Sequence, residues 1–173
     1  MAPVIVRREK PEDVPVVRGV VAAAFGRPGA AQPPVEVGLL DELRVDACWL
    51  PRFSLVATEG DRVVGHVVCT RGHVEAVAAL GLGPIAVRPD RQGRGVGSAL
   101  MHAVLGAADA ADEHLVALLG DPGYYRRFGF EPASALGVAA PDPAWGDFFQ
   151  ARALSAYRPM AGTFAYAAPF RRL

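Results

Sequence analysis

The chain has 173 residues, of which 51% are hydrophobic and 21% charged, and its 18 basic and 18 acidic residues cancel at neutral pH. This composition fits one globular domain over residues 1–173 and excludes a sequence-independent nucleic-acid binder, which needs a basic surplus. No run approaches the roughly 18 apolar residues of a membrane span, and residues 1–10 lack the apolar core of a secretory signal, so the expected location is the cytoplasm. Cys48 and Cys69 are too far apart for a CxxC motif, and Cys69 reads as a buried small hydrophobe.

Residues 3–8 (PVIVRR) are a β-rich strand. Pro11, Glu12 and Asp13 then open a helix, with proline at the first helical position and acids where the dipole favours them. Val14, Val17, Val20, Val21, Ala24 and Phe25 carry its apolar stripe, so the helix spans residues 11–25. Residues 26–34 are a Gly/Pro loop, and residues 34–46 form a second helix through Val37, Leu40 and Leu43. Two β-rich runs follow, 53–58 and 62–70, joined as a hairpin at Gly60-Asp61. A third strand covers 82–87, a helix about 95–110 and a wholly apolar strand 115–119. A short helix over 124–128 stops at Gly129, and 148–154 and 163–168 close the chain as strands. The order β-α-α-β-β-β-α-β-α-β-β gives a mixed α/β domain. Its central sheet is expected to be mostly antiparallel, with six or seven strands and about four helices, and with parallel pairing across the unit 82–119.

Between the strand ending at Val87 and the helix near Gly95 lies RPDRQGRGVG. Glycines let backbone N–H groups approach a ligand closely, and the helix behind them begins with unpaired donors and partial positive charge. Together these suit a phosphate or pyrophosphate, with Arg91 and Arg94 adding charge at the rim. A tight turn with no ligand would also use glycines. A Walker loop needs GxxxxGK and is absent. The dinucleotide fingerprint GxGxxG fails too, because the glycines fall at 93, 95 and 97 and Ser98 stands at the third glycine's place.

The pattern Gln/Arg-x-x-Gly-x-Gly/Ala is met by Gln92, Gly93, Arg94, Gly95, Val96 and Gly97, five residues after Val87-Arg88-Pro89 begins. This resembles motif A of the GNAT acetyltransferases. A second segment, Tyr125-Arg126-Arg127-Phe128-Gly129-Phe130, is similar to the family's Tyr-x-x-x-Gly-Phe. Its wider setting GDPGYYRRFGF looks like bacterial members without assigned substrates, and the resemblance covers essentially the whole chain. It implies acetyl-CoA as cosubstrate, with the amides of 92–98, Ser98 included, around the CoA pyrophosphate. Ile85, Ala86 and Val87 would pair with the pantetheine arm, and the Val87 amide would polarise the thioester carbonyl.

Chemistry gives the tyrosine a task. Aminolysis of a thioester must expel a thiolate, and a nearby acid can protonate it. Free tyrosine has a pKa of roughly 10 and an alkyl thiol roughly 8.5, so Arg126 and Arg127 would help by lowering Tyr125. Tyr125 is the expected general acid, and Tyr124 is expected to pack under the sheet. An alkylamine acceptor costs about 4 to 5 kcal/mol to neutralise at pH 7; Glu36 and Asp41 face the region that, by the resemblance, borders the acceptor cleft, and His66, His73 and Glu75 sit in or after the central hairpin. His66, in an apolar alternation, reads rather as a hydrogen-bonded strand residue. No pair has metal-ligand spacing, and the reaction needs no metal. The acceptor is open, as is the choice between monomer and homodimer. A longer acyl donor, a non-catalytic CoA sensor and a nucleotide-phosphate binder outside the family are the alternatives.

Overall fold

A computed structural model describes residues 2–173; Met1 of the expected domain lies outside them. The first strand, β1 (Val4–Arg8), is followed by a 3-10 turn at Pro11–Asp13 and by α1 (Val14–Phe25) and α2 (Val35–Val45). Next come β2 (Ser54–Glu59), β3 (Arg62–Val74) and β4 (Val77–Val87), then α3 (Val96–Ala110), β5 (Leu115–Leu119) and α4 (Pro122–Tyr125). The strands β6 (Glu131–Pro132), β7 (Val138–Ala139), β8 (Phe149–Ala153) and β9 (Gly162–Ala165) complete a nine-stranded sheet in the order β1-β2-β3-β4-β5-β8-β6, with β9 beside β3 and β7 beside β9.

Side-chain alternation along the strands explains the two layers. Val67 and Cys69 of β3 face α3 and bury with Leu100, Met101 and Val104. Val68 faces the other way, with Val17, Val20 and Val21 of α1 and Leu40 of α2. Each such side chain removed from water stabilises by roughly 1.5–3 kcal/mol, which seats α3 and the α1–α2 pair on opposite faces of one sheet. Cys69 is fully buried, as expected of it.

The β3–β4 hairpin is longer than the sequence suggests: β3 runs four residues past Thr70 and β4 begins at Val77. The turn at Glu75 carries no glycine, proline or asparagine. Glu75 takes a positive φ of 49°, and its carboxylate accepts the Thr163 amide at 3.1 Å. A contact from 88 residues away thus completes a turn that local chemistry does not announce.

Strand β4 shapes the site. Val67 pairs with Ile85 and Cys69 with Leu82, so one residue of β3 faces two of β4, Gly83 and Pro84, in a bulge. On its other side β4 pairs parallel with β5 only at Leu80–Val116 and Gly81–Ala117. Beyond Gly81 the two strands part, which leaves one side of Leu82–Val87 without a neighbouring strand. The parallel pairing expected across the unit 82–119 is present, but on the β4 side it falls at residues 80 and 81, just before that unit.

Candidate active site

In the opening where β4 and β5 part lies a cleft of about 810 Å³, lined there by Leu82, Ile85, Leu118 and Tyr125, and the glycine loop follows the end of β4. At the loop end, Pro89–Arg91 make a 3-10 turn and residues 92–95 turn into α3. Gly93 and Gly95 have φ of 69° and 84°, and a Cβ at either would meet nothing within 4 Å. These glycines therefore serve the left-handed backbone rather than a tight contact. The Gln92 amide bonds to the Pro89 carbonyl at 3.4 Å, and the next intramolecular backbone bond is Ala99 N–H to Gly95 at 2.9 Å. Between them, the N–H groups of Gly93, Arg94, Gly95, Val96, Gly97 and Ser98 donate to no described residue. Six uncommitted amides gather at the start of a 15-residue helix, the kind of donor set that suits an anion. Of the expected cradle of 92–98, Gln92 alone has its N–H in an internal backbone bond.

The flanking side chains divide differently from expectation. Arg91 is spent inside the protein, on Glu59 at 2.7 Å and Asp90 at 3.0 Å, so it fixes the loop to β2 and brings no free charge. Arg94 is exposed, with no ion-pair partner among the described residues. The Gln92 side-chain amide donates to the Val87 carbonyl at 3.1 Å, tying the loop to the end of β4.

The direction of the β4 backbone follows from one bond. Arg88 N–H donates to Val64 of β3 at 2.9 Å. By the alternation of an antiparallel pair, Ala86 also points its peptide groups at β3, while those of Ile85 and Val87 point away, into the opening. The N–H groups of both and the Ile85 carbonyl can pair with an extended arm laid along the strand, as an added strand would, while the Val87 carbonyl already accepts from Gln92. Val87 lies at the loop end, with its Cγ2 beside Gly97. Ile85 lies further in, lining the cleft with Leu118 and Tyr125.

Tyr125 is placed by the segment after β5. The Asp121 carboxylate caps α4 by accepting the Gly123 amide at 2.8 Å, and the Gln150 side-chain amide holds the Gly120 carbonyl at 2.9 Å. The Tyr125 ring lies directly on Gly120, where a Cβ would collide with it. Burial, with the neighbouring Tyr124 adding to it, pushes the Tyr125 hydroxyl up to about 12. The expected lowering by Arg126 and Arg127 does not occur: both are exposed, and the Arg127 guanidinium sits 4.7 Å from the centre of the Tyr124 ring instead. Tyr124 packs against the α3 layer, and its hydroxyl stands 2.9 Å from where a Cβ of Gly97 would be. It therefore reaches the first turn of α3, a placement that the sequence does not signal.

Of the candidate bases, Glu36 alone lines the cleft. Asp41 is paired with Arg18, Glu75 holds the hairpin turn, and His73 is exposed at the far end of β3. His66 is fully buried on the α1–α2 side, with Nε2 2.9 Å from the Ser54 hydroxyl, and burial lowers its pKa. Burial alone would raise its neighbour Glu9, but the adjacent His66 ring, a hydrogen bond from the Ser54 hydroxyl and the Arg44 guanidinium hold that carboxyl at about 2. His66 is thus the hydrogen-bonded strand residue expected of it. Among the described residues no group of three or more His, Cys, Asp or Glu side chains is placed to hold a metal ion, and no helix is long and apolar enough to cross a membrane.

The profile of the family described as Acetyltransferase (GNAT) domain matches residues 6–133. The uncharacterized N-acetyltransferase YjhQ of Escherichia coli (strain K12) is 34% identical over 136 residues, which cover 76% of this chain and 72% of YjhQ. YhbS of the same organism, also an uncharacterized N-acetyltransferase, is 28% identical over 173 residues, 97% of this chain and 99% of YhbS. The crystal structure of Escherichia coli YhbS in complex with CoA superposes with a TM-score of 0.88 at 27% identity, covering 100% of this chain and 94% of that one. A GNAT family acetyltransferase from Brucella melitensis in complex with acetyl-CoA gives a TM-score of 0.78 at 34% identity, over 98% of this chain and 99% of that one.

Proposed function

The chain belongs to the GNAT acetyltransferases, and from that premise we propose that it moves the acetyl group of acetyl-CoA to a primary amine by direct attack on the thioester, with Tyr125 as general acid. The observation that carries the donor assignment is the set of six uncommitted amides from Gly93 to Ser98, continuous with the unpaired side of β4. A diphosphate matches the amides and a pantetheine amide arm matches the strand edge, so both halves of one long ligand find complementary backbone. Arg94 adds charge at the diphosphate, and Ile85, Ala86 and Val87 form the strand that the arm follows.

The arm runs from the loop inward, which puts its sulfur beyond Val87. The Ile85 N–H, pointing into the opening beside Tyr125, is therefore the donor for the thioester oxygen, in place of the Val87 amide. The amine nitrogen attacks the carbonyl carbon and the oxygen becomes anionic against Ile85. The C–S bond then breaks, the Tyr125 hydroxyl gives its proton to the departing sulfur, and the ammonium proton on nitrogen is lost to solvent. Tyr125 is reprotonated from water.

With Tyr125 at about 12 and a free thiol at roughly 8.5, proton transfer between them would be uphill by about 5 kcal/mol on the aqueous scale. The same dry cleft that raises the tyrosine also disfavours a thiolate, which raises the basicity of the sulfur and narrows that gap. A raised pKa also keeps the acid loaded with its proton throughout neutral and mildly alkaline pH.

Thermal melting with acetyl-CoA, CoA, ATP and NAD tests the donor. Ligand at a hundredfold excess over Kd stabilises by about 2.7 kcal/mol, so the CoA species raise Tm by several degrees and the others do not. Thiol release on addition of amine then tests transfer. A protein stabilised equally by ATP, or one that binds acetyl-CoA yet releases no thiol with any primary amine, contradicts the reading.

A further inference from the structure

The acceptor half of the cleft differs in character from the donor half. It is walled by Phe25, Leu39, Trp145, Phe164, Tyr166 and Phe170. The rings of Phe164, Phe170 and Trp145 pack around Tyr166 with centroid separations of 4.8, 4.9 and 6.4 Å. This wall is fixed in place. Tyr166 lies against Gly81, its ring 2.8 Å from where a Cβ would stand, just where β4 leaves β5. Phe170 packs with Leu39 and Leu43 of α2, and Arg172 pairs with Glu42 at 2.7 Å, so the C-terminal segment is tied down to α2.

Polar groups on this half are few, and most are committed or peripheral. Asp142 caps its own turn by accepting the Ala144 amide at 2.9 Å. Arg171 is exposed at the rim. Glu36, half-buried in the first turn of α2, makes no hydrogen bond or ion pair with any described residue. A partly desolvated carboxylate gains most from a cation delivered to it, and aromatic faces nearby favour that cation as well. A polyamine needs a carboxylate for each further charge, and a peptide needs partners for its backbone groups. Among the side chains of the wall, Glu36 is the one half-buried carboxylate without a hydrogen bond or ion pair; Asp142 and Arg171 are exposed and opposite in charge, and most of the remaining surface is rings and aliphatic groups.

We infer that the acceptor is a primary amine on an apolar, aromatic-sized body, with Glu36 as the positioning residue that holds its ammonium group. This deepens the acetyl-transfer reading above and rests on it. Thiol release is measured with 2-phenylethylamine, ethanolamine, spermidine and an N-terminally blocked lysine peptide, for the wild type and for Glu36→Gln. The wild type uses 2-phenylethylamine with a kcat/KM at least about tenfold above the others, as burial of its ring demands. Glu36→Gln raises the amine KM about tenfold with little change in kcat, and acetyl-CoA still raises its Tm as it does for the wild type. Glu36→Asp, which keeps the charge, recovers part of the loss. The inference is overturned if spermidine or the peptide is preferred, or if Glu36→Gln leaves the amine KM unchanged. It also falls if acetyl-CoA raises Tm while 2-phenylethylamine is not consumed. If acetyl-CoA itself fails to raise Tm, the underlying reading falls instead.

Discussion

The donor and acceptor halves of the cleft are built by opposite strategies. The donor half is mostly backbone: six amides before and within the first turn of α3 and the free side of β4, both inside residues 82–98. The acceptor half is side chains, drawn from the end of α1, the start of α2, the turn near Trp145 and the last residues of the chain. A backbone site is specified by where glycines and helix starts fall, so it is local and tolerant of neighbouring side chains. A side-chain site is specified by tertiary packing, so each member can change alone. The first half suits a ligand held through its own backbone-like groups, and the second suits one chosen by individual side chains.

Several substitutions sharpen this contrast. Tyr125→Phe removes the proposed acid and lowers kcat by a hundredfold or more, within the roughly 10²–10⁴ range of general acids, while the Kd for acetyl-CoA stays within about twofold of wild type. Steady-state kinetics with a saturating amine decide it, and an unchanged kcat removes the acid role. Gly95→Ala forces a Cβ onto a φ of 84° at a cost of about 1–2 kcal/mol. It should weaken CoA binding about five- to thirtyfold by calorimetry and leave the choice among amines as it was. A change in amine preference with unchanged CoA affinity would erase the division between the halves.

The pH profile separates two views of Tyr125. With its hydroxyl raised to about 12, the acid stays protonated as pH rises, and its contribution is lost only near and above that value. The kcat/KM for a simple amine therefore climbs with unit slope from pH 6 to 10, following the free amine. A downturn below pH 10 would mean that Arg126 and Arg127 do lower the tyrosine. The smallest effect distinguishes the two loop arginines. Arg94→Ala weakens CoA binding a few-fold, more at low salt than at high. Arg91→Ala acts first on stability, because it breaks the ties to Glu59 and Asp90. Equal losses of CoA affinity from both would show that Arg91 is not committed internally.

The same contrast governs what the sequence reveals. Helices α2 and α3 and strands β1, β2, β5 and β8 fall within a residue or two of the positions that periodicity and turn chemistry predict, because those signals are local, and α1 starts three residues late, after a 3-10 turn at Pro11–Asp13. The positions of the glycine turn before α3 and of the short helix that carries Tyr125 are legible for the same reason. The far part of the β3–β4 hairpin is not, since its turn at Glu75 depends on Thr163. The charge of Arg91 and the proton of Tyr125 are also misjudged from sequence. One depends on Glu59, 32 residues away, and the other on how deeply the ring is buried. Glu36 and the ring cluster around Tyr166 are visible as residues, but nothing in their spacing brings them together.

Backbone amide resonances give the most direct measurement of the central claim. In a ¹⁵N-labelled sample titrated with CoA, the N–H signals of Gly93, Arg94, Gly95, Val96, Gly97 and Ser98 should move together to lower field as they take up the diphosphate, and NAD should leave them in place. If CoA binds and those six signals stay where they are, the diphosphate lies elsewhere and the account of the donor half is wrong.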